Sequence, residues 1–308
     1  MQPNQGSARR EIIEHLSRPQ ASVSPKYLYD TLGCRLFEAI TCLPEYYPTR
    51  IEQDLLDCYG DEVAALAGSG TALVDLGAGN GEKARSLFDR LNPRQYVAVD
   101  FSADFVRSCC ERMQDAFPHI EILAVGADLS RDFTLPATVQ PRPRLFFYPG
   151  SSIGNFDPED ALTLLSRICR ECGGDGGLLI GVDLVKERTR LEAAYDDVLG
   201  LTAAFNRNVL AHVNALIGSD FQIHRWRHRA VFNAERSRVE MHLEAVEDHC
   251  ISWPGGHRLF AAGERIHTEN SYKYRLEDFV ALLRRAGFPR VRYWADADLW
   301  YGICHAGF

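Results

Sequence analysis

A chain of 308 residues, 46% apolar and 25% charged, has enough core for one large domain or two modest ones and falls outside the disordered and fibrous classes. Its net charge of -8 weighs against wrapping nucleic acid or lying on an anionic membrane, and no apolar run approaches the ~18 residues of a membrane span. The opening stretch 1–10 is polar and lacks the apolar segment of a signal peptide, so the expected location is the cytoplasm.

From Thr71 onward, short apolar runs alternate with helical segments, the pattern of a parallel sheet with crossover helices. Strands are expected at 72–76, 96–100, 121–125, 144–148 and 177–183, with helices at 82–91, 103–116 and 158–172. Between 186 and 273 the alternation stops: 189–217 reads as one long helical stretch, and 221–248 alternates like two antiparallel strands. An amphipathic helix at 276–286, closed by Gly287, leads to strands at 291–295 and 300–305 joined by an acidic turn.

Dinucleotide-binding folds usually continue with parallel units. A final helix and strand hairpin is instead how class I methyltransferase sheets finish. The expected fold is therefore α/β, a class I (Rossmann-like) methyltransferase sheet in residues 55–186 plus 274–308. A second, α+β substrate-binding lobe is expected from 1–54 plus 187–273.

The first strand runs into Asp75-Leu76-Gly77-Ala78-Gly79-Asn80-Gly81-Glu82, where a glycine-rich turn lets backbone approach a ligand and aims the next helix at it. A dinucleotide fingerprint needs its third glycine at position 82, which Glu82 occupies. A carboxylate two residues before the first glycine of G-x-G-x-G is the methyltransferase form. It suits S-adenosylmethionine, which has no pyrophosphate and carries a cationic amino acid tail. Asp100, ending the second strand, has the chemistry to accept both ribose hydroxyls, and Asp128, after the third, to accept from the adenine amino group.

Nine cysteines without a secretory signal argue against a disulfide framework. Cys169 and Cys172 form a C-x-x-C pair late in a helix, with no second pair nearby, and read as buried structural thiols, as do Cys109 and Cys110. His224 and His228 share one face of an expected strand without a carboxylate or cysteine to complete a site, so no metal is expected.

Several blocks resemble the histidine Nα-methyltransferases of ergothioneine biosynthesis. They are Tyr27-Leu28-Tyr29-Asp30 with Leu36-Phe37, Leu43-Pro44-Glu45-Tyr46-Tyr47-Pro48-Thr49-Arg50, and Pro149-Gly150-Ser151-Ser152-Ile153-Gly154-Asn155-Phe156. Ala194-Tyr195-Asp196-Asp197, the run from Thr202 to Leu210, and Thr268-Glu269-Asn270-Ser271 complete a set that covers nearly the whole chain.

The resemblance implies trimethylation of the α-nitrogen of free L-histidine to hercynine, with S-adenosylmethionine as the methyl donor. It also implies roles. Asn155 and Tyr195 hold the substrate's amino acid end, while Glu269 and Ser271 bind its imidazole, with Met241 against the ring and Tyr46 nearby. Tyr29, Phe37 and Gly150 line the methyl-transfer centre, and Tyr29 is the candidate to guide the amine's proton out. Tyr29, Gly77, Gly79, Lys83, Asp100 and Asp128 serve the cofactor. Leu129 departs from the pattern, since some relatives carry an aromatic neighbour of adenine there.

Without the family, Tyr46 and Tyr47 read equally as core aromatics, Met241 on its alternating strand reads as core more often than pocket, and Glu269 between Thr268 and Ser271 reads as part of a helix cap. The competing functions are a same-fold methyltransferase acting on another amino acid or small amine, a non-catalytic cofactor-sensing or scaffold protein, and an NAD-dependent oxidoreductase. The expected partner is a small-molecule substrate, taken up by a monomer that binds neither nucleic acid nor membrane.

Overall fold

The computed structural model describes residues 5–68, 70–131 and 134–308, so the first four residues of the polar opening stretch lie outside it. In chain order the elements begin with helices α1 (Gln5–Leu16), α2 (Thr31–Thr41) and α3 (Tyr47–Ala67). Strand β1 (Ala72–Leu76) is followed by α4 (Glu82–Arg85), α5 (Phe88–Leu91), β2 (Gln95–Asp100), α6 (Ala103–Ala116), β3 (Glu121–Gly126), β4 (Arg144–Tyr148), α7 (Pro158–Cys172) and β5 (Gly177–Asp183). Then come α8 (Arg188–Ala193), α9 (Leu201–Ile217), β6 (Trp226–Asn233), β7 (Arg238–Ala245), β8 (His249–Trp253), β9 (Gly256–Phe260) and β10 (Arg265–Tyr272). The chain finishes with α10 (Leu276–Arg285), β11 (Arg290–Ala295) and β12 (Tyr301–Gly307).

The chain divides into two compact units, one of residues 1–47 and 186–271, the other of 48–185 and 272–308. Sequence reading assigns 48–54 to the inserted lobe, but these residues open α3, whose Leu55, Leu56 and Val63 pack in the core of the second unit. A long helix that buries one stripe goes with the unit that covers the stripe, here from Pro48 onward.

In the second unit the sheet order is β11-β12-β5-β4-β1-β2-β3. Pairs from β5 across to β3 are parallel, whereas β12 lies antiparallel to both β5 and β11. The strands β1 and β5 are buried at every residue, which is why they read as continuous apolar runs rather than as alternation. Alternate side chains serve two cores. Val74, Val97, Phe146 and Ile180 pack with α7 and α10, while Leu73, Tyr96, Leu145 and Leu179 pack with α3 and α6. Chain order reverses beside β1, and open α/β sheets bind ligands outside the carboxyl ends of the strands at such a point.

The expected helix at 82–91 is broken into α4 and α5. The Ser86 hydroxyl donates to the Lys83 carbonyl at 2.7 Å, and the Leu87 N–H reaches the Ala84 carbonyl, one residue short of an α-helical bond.

The first unit carries a three-stranded sheet, β10-β7-β6, and the hairpin β8-β9. The helical stretch expected at 189–217 is interrupted between α8 and α9. There the Asp197 carboxylate accepts the N–H groups of Leu201 (3.0 Å) and Thr202 (2.7 Å), and Gly200 adopts φ +75°. This side-chain cap restarts the helix and leaves Tyr195 in the connecting turn. His224 lies in a single helical turn before β6 rather than on the strand, so it does not share a strand face with His228.

Cys109, Cys110, Cys169 and Cys172 are buried, and burial pushes the Cys172 thiol up to about 12. Its Sγ donates to the Gly177 carbonyl, a structural use of the thiol. Among the described residues no group of three or more His, Cys, Asp or Glu comes together to hold a metal, and no helix is long and apolar enough to cross a membrane.

Candidate active site

In the second unit, β1 opens into a turn whose Gly77, Gly79 and Gly81 have φ of +69°, +55° and +76°, a backbone region that only glycine enters freely. A Cβ built on Gly79 would meet nothing within 4 Å, so the turn is open at that residue, whereas one on Gly81 would meet Met113 at 2.8 Å. Asp100 ties the turn to the end of β2, accepting the Gly79 N–H on Oδ2 at 3.0 Å and the Ser102 N–H on Oδ1 at 2.8 Å. Burial raises its pKa and these backbone donors oppose the rise. A carboxylate has about four acceptor positions, so two bonds leave capacity for further donors.

Asp75, two residues before the turn, is fully buried. Its Oδ2 accepts the Tyr96 hydroxyl at 2.8 Å, while Oδ1 has no hydrogen-bond partner among the described residues. Burial pushes this carboxyl up to about 7, against the lowering effect of the tyrosine bond. An open glycine turn, an anchored acid on the next strand and an orphaned buried carboxylate oxygen form a donor and acceptor set that fits a cofactor with ribose hydroxyls and an amino acid tail.

Asp128 accepts the Ser130 N–H at 3.0 Å and lies 3.5 Å from Arg131, so part of its capacity is spent locally. Leu129 packs against the core together with Ala127 and Phe156. Lys83, on α4, is paired with Glu52 of α3. Gly150 turns at φ +74° and gives its N–H to the same carboxylate, at 2.9 and 3.0 Å from the two oxygens. Asn155 ends the short helical turn Ser152–Asn155 and is half-buried. That turn is fixed at both ends. The Asp183 N–H donates to Ser151 Oγ at 2.9 Å, and the Tyr272 hydroxyl donates to Asp157 at 2.8 Å. Asp183 is itself paired with Lys273 at 2.8 Å, both side chains fully buried.

In the first unit Tyr29, Phe37, Tyr46, Tyr195 and Ser271 form a continuous group. The Tyr29 ring meets Phe37 edge-on at 5.6 Å and Phe205 at 5.4 Å, Phe37 meets Tyr46 at 6.0 Å, and Tyr46 meets Tyr195 at 6.5 Å. These separations suit edge-to-face aromatic contacts. Asp30, next to Tyr29, caps α2 by accepting the Gly33 N–H and also accepts from Asn208 of α9, both at 2.7 Å, which fixes the approach of α2 to α9. The Tyr195 hydroxyl donates to Ser271 Oγ at 2.7 Å, and its carbonyl accepts from His228 Nε2 at 2.8 Å. A carbonyl only accepts, so the proton sits on Nε2. His228 Nδ1 then accepts from Asn206 Nδ2 at 2.9 Å, the neutral imidazole that burial also favours.

Met241, Glu269 and Ser271 are buried on β7 and β10. The strand placement removes the helix-cap reading of Glu269, and Thr268 gives its hydroxyl to the Met241 carbonyl at 3.0 Å instead. Tyr47, beside Tyr46, accepts from Lys186 Nζ at 2.7 Å on its hydroxyl oxygen. The candidates thus separate, with Tyr29, Phe37, Tyr46, Tyr195, Met241, Glu269 and Ser271 in the first unit and Gly77, Gly79, Lys83, Asp100, Asp128, Leu129, Gly150 and Asn155 in the second.

Sequence reasoning missed Glu52 and Tyr301; it weighed His228 only as a metal ligand and covered Phe205 only within the run from Thr202 to Leu210. Glu52 left a trace. It is an acid on the apolar stripe of a helix, in line with Leu55, Leu56 and Tyr59.

A family model described as histidine-specific methyltransferase, SAM-dependent, matches residues 8–307. The histidine N-alpha-methyltransferase of Mycolicibacterium smegmatis is 40% identical over 302 residues, spanning 96% of this chain and 93% of that protein. Its counterpart in Mycobacterium tuberculosis is 38% identical, spanning 96% and 93%. Ergothioneine biosynthesis protein 1 of Neurospora crassa is 30% identical over 90% of this chain, which corresponds to 32% of that longer protein.

Proposed function

Because the chain belongs to the family of histidine-specific, S-adenosylmethionine-dependent methyltransferases, we infer that it trimethylates the α-nitrogen of free L-histidine to hercynine, the first step of ergothioneine biosynthesis. The observation that carries this reading is the family match across residues 8–307.

Bound S-adenosylmethionine would supply an electrophilic methyl on a sulfonium, and Gly77, Gly79, Lys83, Asp100 and Asp128 are the residues to hold it. With that electrophile at hand, the protein need not build a nucleophile, since the neutral α-amine is one already. Its tasks are to orient the lone pair and exclude water, and most of the gain comes from positioning.

Glu269 and Ser271 take the imidazole, whose ring N–H is a good hydrogen-bond partner for a buried carboxylate. Met241 packs on the ring. Asn155 and Tyr195 hold the amino acid end, an amide being able to accept from the amine and donate to the carboxylate. Each of the first two transfers leaves a cationic amine that loses a proton before the next attack, and Tyr29 guides that proton out. The third leaves a permanent cation. In this reading the first unit is the substrate lobe, and the enzyme works as a cytoplasmic monomer on a small molecule.

Incubation with S-adenosylmethionine and pooled amino acids, followed by mass spectrometry, tests the reading. Histidine should be the amino acid that gains methyl groups, up to three. Methylation of another amino acid in preference to histidine would overturn it.

A further inference from the structure

The Glu52 side chain is 1% exposed and sits in a seat built for it. Position 181 of β5 is glycine, and a Cβ there would lie 1.9 Å from Glu52 Oε1. Three donors from three segments converge on the carboxylate. They are the Lys83 ammonium of α4, the Gly150 N–H after β4, and the Tyr301 hydroxyl of β12 at 2.7 Å. A buried carboxylate is costly unless paired and fully bonded, and replacing such a group by apolar residues is often neutral or stabilising. An acid kept in this seat is better explained by what it holds than by the stability it adds.

Two of its partners, Lys83 and Gly150, are residues assigned above to the cofactor and the methyl-transfer centre. Lysine carries its charge on a flexible four-carbon stem, and fixing that stem in advance reduces what a ligand must order on binding. We propose that Glu52 is a positioning residue that holds the Lys83 ammonium and the Gly150 turn in place for the amino acid tail of the cofactor. The proposal rests on the reading of Lys83 as a cofactor residue.

Glu52→Gln isolates the effect. The amide keeps an oxygen for Gly150 and Tyr301 but turns an NH2 toward Lys83, setting donor against donor and displacing the ammonium. Calorimetry with two ligands reads the result without turnover. S-adenosylhomocysteine carries the amino acid tail, whereas 5′-methylthioadenosine keeps the adenine, ribose and sulfur but ends in a methyl. Glu52→Gln should weaken S-adenosylhomocysteine about tenfold, the range of one charge-assisted bond, and leave 5′-methylthioadenosine unchanged. In a Lys83→Met background it should cause no further loss, because the residue through which it acts is gone.

Unchanged 5′-methylthioadenosine affinity also shows that the variant is folded. Should Glu52→Gln fail to fold, Glu52→Asp, which withdraws the charge from Lys83 by one methylene, should give the same ligand-selective loss. Equal losses on both ligands, or losses that add to those of Lys83→Met, would overturn the proposal while leaving the cofactor assignment intact. A Lys83→Met variant that binds S-adenosylhomocysteine like the wild type would remove Lys83 from the cofactor site, and the proposal with it.

Discussion

The Tyr195 hydroxyl donates to Ser271 Oγ across 2.7 Å, joining two residues that the family pattern gives to opposite ends of one substrate. The bond makes recognition of the amino acid end and of the imidazole a single hydrogen-bonded unit. Tyr195→Phe and Ser271→Ala should each lower kcat/KM for histidine about three- to tenfold, and the double variant should be no worse than the poorer single one. Losses that add in steady-state kinetics would mean that the two residues act independently.

Glu269 sets selectivity in this account. Glu269→Ala leaves the bound ring N–H unpaired and opens volume, so histidine should lose about 2–3 kcal/mol in kcat/KM while tryptophan loses less. Glu269→Gln should fall between. Asn155→Ala removes a grip on the amino acid end and should lower all substrates together. Equal losses for histidine and tryptophan in Glu269→Ala would place histidine recognition elsewhere.

Asp100 anchors the glycine turn through Gly79 as well as facing the cofactor's ribose in the proposed site. Asp100→Ala should weaken S-adenosylmethionine tenfold to hundredfold in calorimetry, the equivalent of about 1.5–3 kcal/mol for a bond to a charged group. Unchanged affinity in the folded variant would remove the assignment, and NAD should bind neither form.

His305, on β12, is buried, and its Nε2 has no hydrogen-bond partner among the described residues. Burial lowers its pKa from 6.5 to about 4. The folded protein therefore keeps the ring neutral where the unfolded chain takes up a proton. The ring's contribution to stability is complete above pH 6.5 and is lost as pH falls to about 4, by up to roughly 3 kcal/mol. His305→Leu removes the titrating group at similar volume. Its melting temperature should match the wild type near pH 7.5 and exceed it increasingly toward pH 4.5. Parallel melting curves across that range would show that the ring titrates normally.

The methyltransferase sheet was legible because its central strands β1, β4 and β5 are near-continuous apolar runs and its glycine turn and acids fall at strand ends, features carried by a few adjacent residues. The helix breaks at Ser86 and Asp197 were not, since both depend on a side chain taking a backbone partner that a helix would have used. The hairpin β8-β9 and strand β10 lack long alternating runs, so without the family pattern Glu269 reads as part of a helix cap, a reading that its place on a strand removes. Glu52 was the hardest to foresee: its partners Lys83, Gly150 and Tyr301 are scattered along the chain, and only the folded sheet gathers them.

The most direct measurement is nuclear magnetic resonance of the product made from histidine and S-adenosylmethionine carrying a 13C-labelled methyl. The final species should show a single labelled resonance from three equivalent methyls, correlated with the α-carbon, and leave the imidazole signals unmethylated. Label on a ring nitrogen, or a reaction that stops with one methyl at saturating cofactor, would contradict trimethylation of the α-nitrogen.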